Sequence, residues 1–225
     1  TLLNVGQNVL CIHGLNRVTS NSDALFVAEL LGSRVTGSLE EAYFTNPTPG
    51  EANSAGDTEP GPVIRTVTDE LAPIDPAAGG LVIEADVVST LNPVTSVTLS
   101  WRIMYGSETN LTMVDDGSGS DSVAADGIYT AMIPTDDLSA GQMLRWKVTA
   151  TDSAGVGTDA PPYPDSLDSP QYYGTIAEDS SVASSNLPVL HWFTSSPSGA
   201  ETNNGSRGSI YYRGEFYDNI LADRH

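Results

Sequence analysis

The stretch Val97-Thr98-Leu99-Ser100-Trp101-Arg102-Ile103-Met104-Tyr105 decides the fold. Val97, Leu99, Trp101, Ile103 and Tyr105 share one face, while Thr98, Ser100 and Arg102 share the other. A period of two means a strand with one face buried and one wet, as antiparallel sheets require. The pattern recurs on both sides. Leu144, Trp146, Val148 and Ala150 alternate with Arg145, Lys147, Thr149 and Thr151. Leu81, Ile83, Ala85 and Val87 alternate with Val82, Glu84, Asp86 and Val88. With 63–68, 109–115, 127–133 and 171–177, this gives about seven strands, the number of an immunoglobulin-like domain. The expected class is therefore all-β, an antiparallel immunoglobulin-like β-sandwich. Trp101 is expected centrally on the third strand, packed on the Trp146 strand. Cys11 is the single cysteine, so no internal disulfide can join the sheets and apolar burial must hold them together.

Composition narrows the partners. The chain of 225 residues has 29 Asp+Glu against 9 Lys+Arg, a formal charge of −20, and Lys147 is its one lysine. Nucleic acid needs a basic face, and so does an anionic membrane surface. Neither partner is expected. Charged residues make up 17% and hydrophobic ones 39%, which separates the chain from charged disordered tails. No apolar run approaches the ~18–20 residues of a membrane span, so no membrane insertion is expected. The chain opens at Thr1-Leu2-Leu3 without a basic segment or initiator Met, so a processed chain or a piece of a longer one is expected.

Punctuation divides the chain. Residues 46–62 carry Asn46-Pro47-Thr48-Pro49-Gly50 and Glu59-Pro60-Gly61-Pro62, and proline keeps its predecessor extended. The expected domains are 1–54, a linker at 55–61, the sandwich at 62–178, and a tail at 179–225. Strands are expected at 8–13 and 23–31, too few for a core, so 1–54 reads as the last part of a β-sandwich. The tail has an apolar run, 187–193, then a flexible stretch, 195–208. A hairpin over 209–220 is expected to turn at Arg213-Gly214.

The tail resembles the first strands of the spore-coat-H-type (CotH) protein-kinase-like family. The residues that carry the resemblance are Leu187-Pro188-Val189-Leu190-His191-Trp192-Phe193 and Ile210-Tyr211-Tyr212-Arg213-Gly214-Glu215-Phe216-Tyr217-Asp218-Asn219-Ile220. The resemblance, taken over the tail 179–225, covers about a fifth of the chain. The family's glycine-serine-rich motif and acidic catalytic residues have no positions here, so the resemblance implies an adjoining domain, truncated, and no activity in these residues. The segment 46–53 is similar to the exit of bacterial lamin-tail-like and jelly-roll modules, and 6–16 to a late strand of galactose-binding-like sandwiches. The middle zone resembles the bacterial immunoglobulin-like modules found between such domains. Together these imply a secreted or cell-surface bacterial multidomain protein.

The sharpest chemical signal is Asp115-Asp116-Gly117-Ser118-Gly119-Ser120-Asp121-Ser122-Val123-Ala124-Ala125-Asp126-Gly127. Its four carboxylates, Asp115, Asp116, Asp121 and Asp126, are candidate Ca²⁺ ligands, because Ca²⁺ takes six to eight oxygens. The final Glu and flanking helices of an EF-hand are missing. The same residues also read as a solvated turn whose Asp side chains accept from nearby backbone N–H groups. Asp159, Asp165 and Asp168 form a second acidic set, read as an ordinary polar loop because of Pro161, Pro162 and Pro164. His13, His191 and His225 have no zinc spacing between them and read as packed or edge residues. Cys11 reads as a buried small hydrophobe. Trp192, Tyr211, Tyr212, Phe216 and Tyr217 read either as core or as a sugar-stacking platform. No nucleophile elbow or P-loop pattern occurs, and no catalytic residue is assigned.

Three functions are expected from these readings. The first is a non-catalytic extracellular structural or adhesive segment of a larger surface protein, in one form fibre-forming through unpaired strand edges. Its partners would be other domains of the same protein or copies of itself. The second is the accessory region of a CotH-type kinase-like enzyme. The third is a calcium-dependent glycan-binding module built on 115–127.

Overall fold

The computed structural model describes residues 50, 56–69, 71–183 and 185–224. Contacts divide the chain into Thr1–Pro60 and Gly61–His225, and the second unit holds all of the described strands. The strands expected at 8–13 and 23–31, with Cys11, His13 and His225, lie outside the described residues.

The described chain is mostly β, with almost no helix. In order come β1 (Val63–Val67), β2 (Leu81–Val88), β3 (Val94–Ile103), β4 (Thr109–Met113), β5 (Ile128–Ile133) and β6 (Met143–Asp152). Then come β7 (Gly157–Ala160), β8 (Tyr173–Ile176), β9 (Leu190–Thr194), β10 (Ser206–Tyr212) and β11 (Glu215–Ala222). Two short helices, α1 (Ser180–Ala183) and α2 (Pro197–Ala200), flank β9. One sheet has the order β1-β2-β5 and a second has β4-β3-β6-β7, with β8 also paired to β6. A third has β11-β10-β9. The ladders between these strands are antiparallel.

The alternation seen in the sequence builds the core. Val67, Ile83, Ala85, Val87 and Ile133 from the first sheet meet Val97, Leu99, Trp146, Val148 and Ala150 from the second in one buried cluster. Each fully buried aliphatic or aromatic side chain contributes about 1.5–3 kcal/mol. Trp101 and Trp146 face each other directly across the β3–β6 ladder. Trp146 is fully buried, and its indole Nε1–H donates to the Thr68 carbonyl at 2.9 Å. That bond ties the segment after β1 to the opposite sheet.

The structure departs from the sequence reading in four places. First, β7 adds a strand where a polar loop was expected, and residues 157–160 pair with Val148–Thr151. The strand is short and polar, and Ala160 is its one buried residue, so the ladder rather than burial defines it. Second, the stretch 195–208 holds α2, capped by the Ser196 hydroxyl, which accepts from Gly199 N–H at 3.2 Å, and the start of β10. Third, the strand in the run 187–193 begins only at Leu190, and Leu187 is exposed. Fourth, Arg145, expected on a wet face, is buried because the third sheet covers it.

The tail hairpin turns at Arg213-Gly214. Both residues have positive φ, 53° and 93°, as a two-residue type I′ turn requires. The third sheet lies within the Gly61–His225 unit. Phe193 and Tyr211 pack with Met143 and Ile176 into a second, smaller core. Phe216 fills the notch left by Gly174, where a Cβ would meet its ring at 2.5 Å.

Candidate metal centre

The loop 115–127 crosses from one sheet to the other. It leaves the end of β4 and enters β5, and a bridge between Val114 and Thr130 closes its base. Both bonds of that bridge are short, 2.9 and 2.8 Å. Acidic residues between two sheets must find donors or water, and this loop supplies backbone donors. Asp115 accepts from Asp126 N–H at 3.2 Å and Gly127 N–H at 3.0 Å, stapling the start of the loop to its end. Asp121 accepts from Gly117 N–H at 2.5 Å and Val123 N–H at 3.2 Å. Asp126 accepts from Ile128 N–H at 2.9 Å.

The close approach depends on Gly117. Its φ is 71°, and an added Cβ would lie 3.1 Å from the Ala124 nitrogen. Ala125 holds φ of 59° without being glycine, a conformation that costs of order 1 kcal/mol.

These bonds bring Asp115, Asp121 and Asp126 together, each offering a carboxylate oxygen within 4.8 Å of the others. Asp121 is buried and Asp115 half-buried, while Asp126 is exposed. Among the described residues, none of the three is ion-paired to a basic side chain. The Gly117 N–H holds the Asp121 carboxyl below its ordinary range, so it stays ionised. A donor set of three carboxylates with no nitrogen or sulfur suits a hard cation, so the cluster could bind a metal such as Ca²⁺. Backbone carbonyls and water would have to complete six to eight ligands. Asp116 does not join the cluster. Its carboxylate turns back to accept from Ser118 N–H at 2.9 Å and the Ser118 hydroxyl at 2.7 Å. The loop therefore has features of both sequence readings, Asp-capped turns and converging carboxylates.

The other candidates are dispersed. Asp159 accepts from the Thr149 hydroxyl at 2.6 Å, and Asp165 caps Leu167 N–H at 2.8 Å. With Asp168 they form no metal-competent group among the described residues. His191 lies on β9, edge-on to the Tyr211 ring at 6.2 Å. The five aromatic residues of the expected stacking platform divide between two faces. Tyr211 is buried, Phe216 lies against Gly174, and Trp192 and Tyr217 are exposed on either side of Ile210 in the ladder.

Sequence reasoning missed a second charged constellation. Arg102 and Arg145 sit opposite each other on β3 and β6. Their guanidinium carbons lie 4.3 and 4.8 Å from the centre of the Tyr172 ring, and Lys147 Nζ lies 5.3 Å from it. Lys147 pairs with Glu108 at 2.9 Å, and the Tyr172 hydroxyl donates to the same carboxylate. Burial and that bond push the Tyr172 phenol up to about 12. Against burial, the Tyr172 and Lys147 bonds hold Glu108 below its usual value. Desolvation, then the Arg102 charge, lowers Arg145. The signal available in the sequence was Asp218, an acid directly after the aromatic pair Phe216-Tyr217. No protein-family model matches this chain, and no curated protein matches it.

Proposed function

We propose that this chain is a non-catalytic structural segment of a secreted or cell-surface protein. In this reading an immunoglobulin-like sandwich serves as a spacer, and Asp115, Asp121 and Asp126 hold Ca²⁺ where the chain crosses between its sheets. The observation that carries the reading is the convergence of three carboxylates within 4.8 Å on the connection from β4 to β5. A bound cation would remove their mutual repulsion and fix the crossing, as structural calcium does in extracellular modules that bind it in the 10⁻⁴–10⁻³ M range. Two antiparallel sheets on one apolar core supply the body such a spacer needs.

Calorimetry with Ca²⁺ tests the proposal. The expected result is a saturable heat and a melting temperature raised by about 5–10 °C at a hundredfold excess over Kd. Asp121→Ala should abolish both, and Mg²⁺ should bind more weakly, because it demands a tighter octahedral site. No heat and no rise in melting temperature would remove the calcium reading.

A further inference from the structure

Asp218 joins the third sheet to the rest of the unit. Its side chain is 3% exposed and that of Arg145 4%, and their charged atoms lie 3.4 Å apart. Asp218 Oδ1 accepts from Arg145 and from the Ser209 hydroxyl at 2.8 Å. Its Oδ2 accepts from the backbone N–H groups of Gln171 and Tyr172, both at 3.0 Å. Four donors thus satisfy one carboxylate. Three belong to β6 and the segment before β8, and one, Ser209, belongs to β10 beside it. Two more donors of the Arg145 guanidinium, one on Nε and one on Nη2, reach the Met104 carbonyl at 3.2 and 2.6 Å. An isolated buried charge is far more costly than a paired one, so the face of β6 matches a sheet that brings an acid to this point.

The apolar part of this contact is separate from the main core. Met143, Ile176, Phe193 and Tyr211 form their own cluster. Tyr211 also donates its hydroxyl to the Leu71 carbonyl at 2.9 Å. Three strands with one apolar face are about the least that hold together by themselves, so this sheet can move as one body. We infer that the β9–β11 sheet is a docked element that opens and closes on the face of β6 as one unit, and that Asp218 is its latch. The face that receives it, Arg145 with Tyr172, Gly174 and Tyr105, is an interaction surface for an aromatic sheet bearing one buried acid. Tyr105 follows Met104, whose φ is 51°, and so packs here rather than with Leu99, where the alternation places it. This inference does not depend on calcium.

Amide hydrogen exchange on the full chain tests it. Asp218→Asn keeps the shape but leaves the Arg145 charge uncompensated. Exchange across 206–222 should accelerate about a hundredfold or more, while β2 and β5 amides stay within about threefold. Ser209→Ala removes one donor and should accelerate the same segment about tenfold. The paired change Arg145→Met with Asp218→Asn removes both charges while the amide oxygen still accepts from the Gln171 and Tyr172 N–H groups, and it should restore protection to within about tenfold of the wild type. Unchanged protection in 206–222, or loss of protection in β2 and β5 by the same factor, would overturn the latch. If Asp218→Asn fails to fold, Ser209→Ala decides by the same two criteria.

Discussion

The loop 115–127 and the joint at Arg145–Asp218 handle charge in opposite ways. In the loop, like charges converge near water, and backbone N–H groups between Gly117 and Ile128 hold them. In the joint, opposite charges meet out of water, and the partners are 73 residues apart. The first arrangement is local and leaves room for a cation. The second is long-range and already complete. Here the paired buried charges fix packing, whereas the unpaired carboxylates of the loop, from buried Asp121 to exposed Asp126, could take a cation.

The largest effect should come from breaking the joint. Arg145→Ala would leave Asp218 buried without its counter-charge and should cost about 3–5 kcal/mol. The double change Arg145→Met with Asp218→Asn, which keeps an acceptor for the Gln171 and Tyr172 N–H groups, should fall within about 1–2 kcal/mol of the wild type. Denaturant midpoints at constant m-value measure both. Equal costs for the single and double variants would show that the pair does not act as a unit. Next comes one substitution made in both regions. Gly174→Ala drives a methyl into the Phe216 ring and should cost about 1–3 kcal/mol, relieved by adding Phe216→Leu. Gly117→Ala should cost about 1–2 kcal/mol through its positive φ, and no remote substitution should relieve it. Rescue of the loop variant by a distant change would blur the contrast.

The smallest effect is with pH. Tyr172 titrates higher in the fold, at about 12, than the ordinary value near 10. A raised folded value means its contribution is full below the ordinary value and is lost as pH rises through about 12. Alkali should therefore loosen the joint. Asp121 has the opposite sign, because its folded value is depressed. Its contribution is present above the ordinary carboxylate range and is lost as pH falls through the depressed value. Acid cannot separate the regions cleanly, because Glu108 in the joint is also depressed. Near-ultraviolet tyrosine titration with parallel melting curves would track both arms. Loss of the joint well below pH 10 would break the assignment to Tyr172.

Much of the fold was legible because its determinants are local. Val97, Leu99 and Trp146 announce their strands by alternation alone, and Arg213-Gly214 announces its turn by chemistry. β7 was not legible, because Gly157-Thr158-Asp159-Ala160 has no apolar face to read and exists by pairing with β6. The converging loop aspartates were legible as a group, but not which of them would converge. Asp115 and Asp116 are neighbours of one residue type, and only the capture of Asp116 by Ser118 separates them. The burial of Arg145 was not legible at all. Period two places it opposite the main core, and a face outside that core is wet only until another sheet covers it.

The scarcity of basic residues has a practical consequence. With nine Lys+Arg in the chain, a trypsin-like protease finds few bonds to cut. Three of these bonds come directly after Arg102, Arg145 and Lys147, all within the paired ladder of β3 and β6. A strand must leave its sheet to enter a protease cleft, so these bonds are shielded while the ladder stands. Fragments ending at Arg145 or Lys147 would then time the opening of this region, each identifiable by mass and each tied to a single peptide bond.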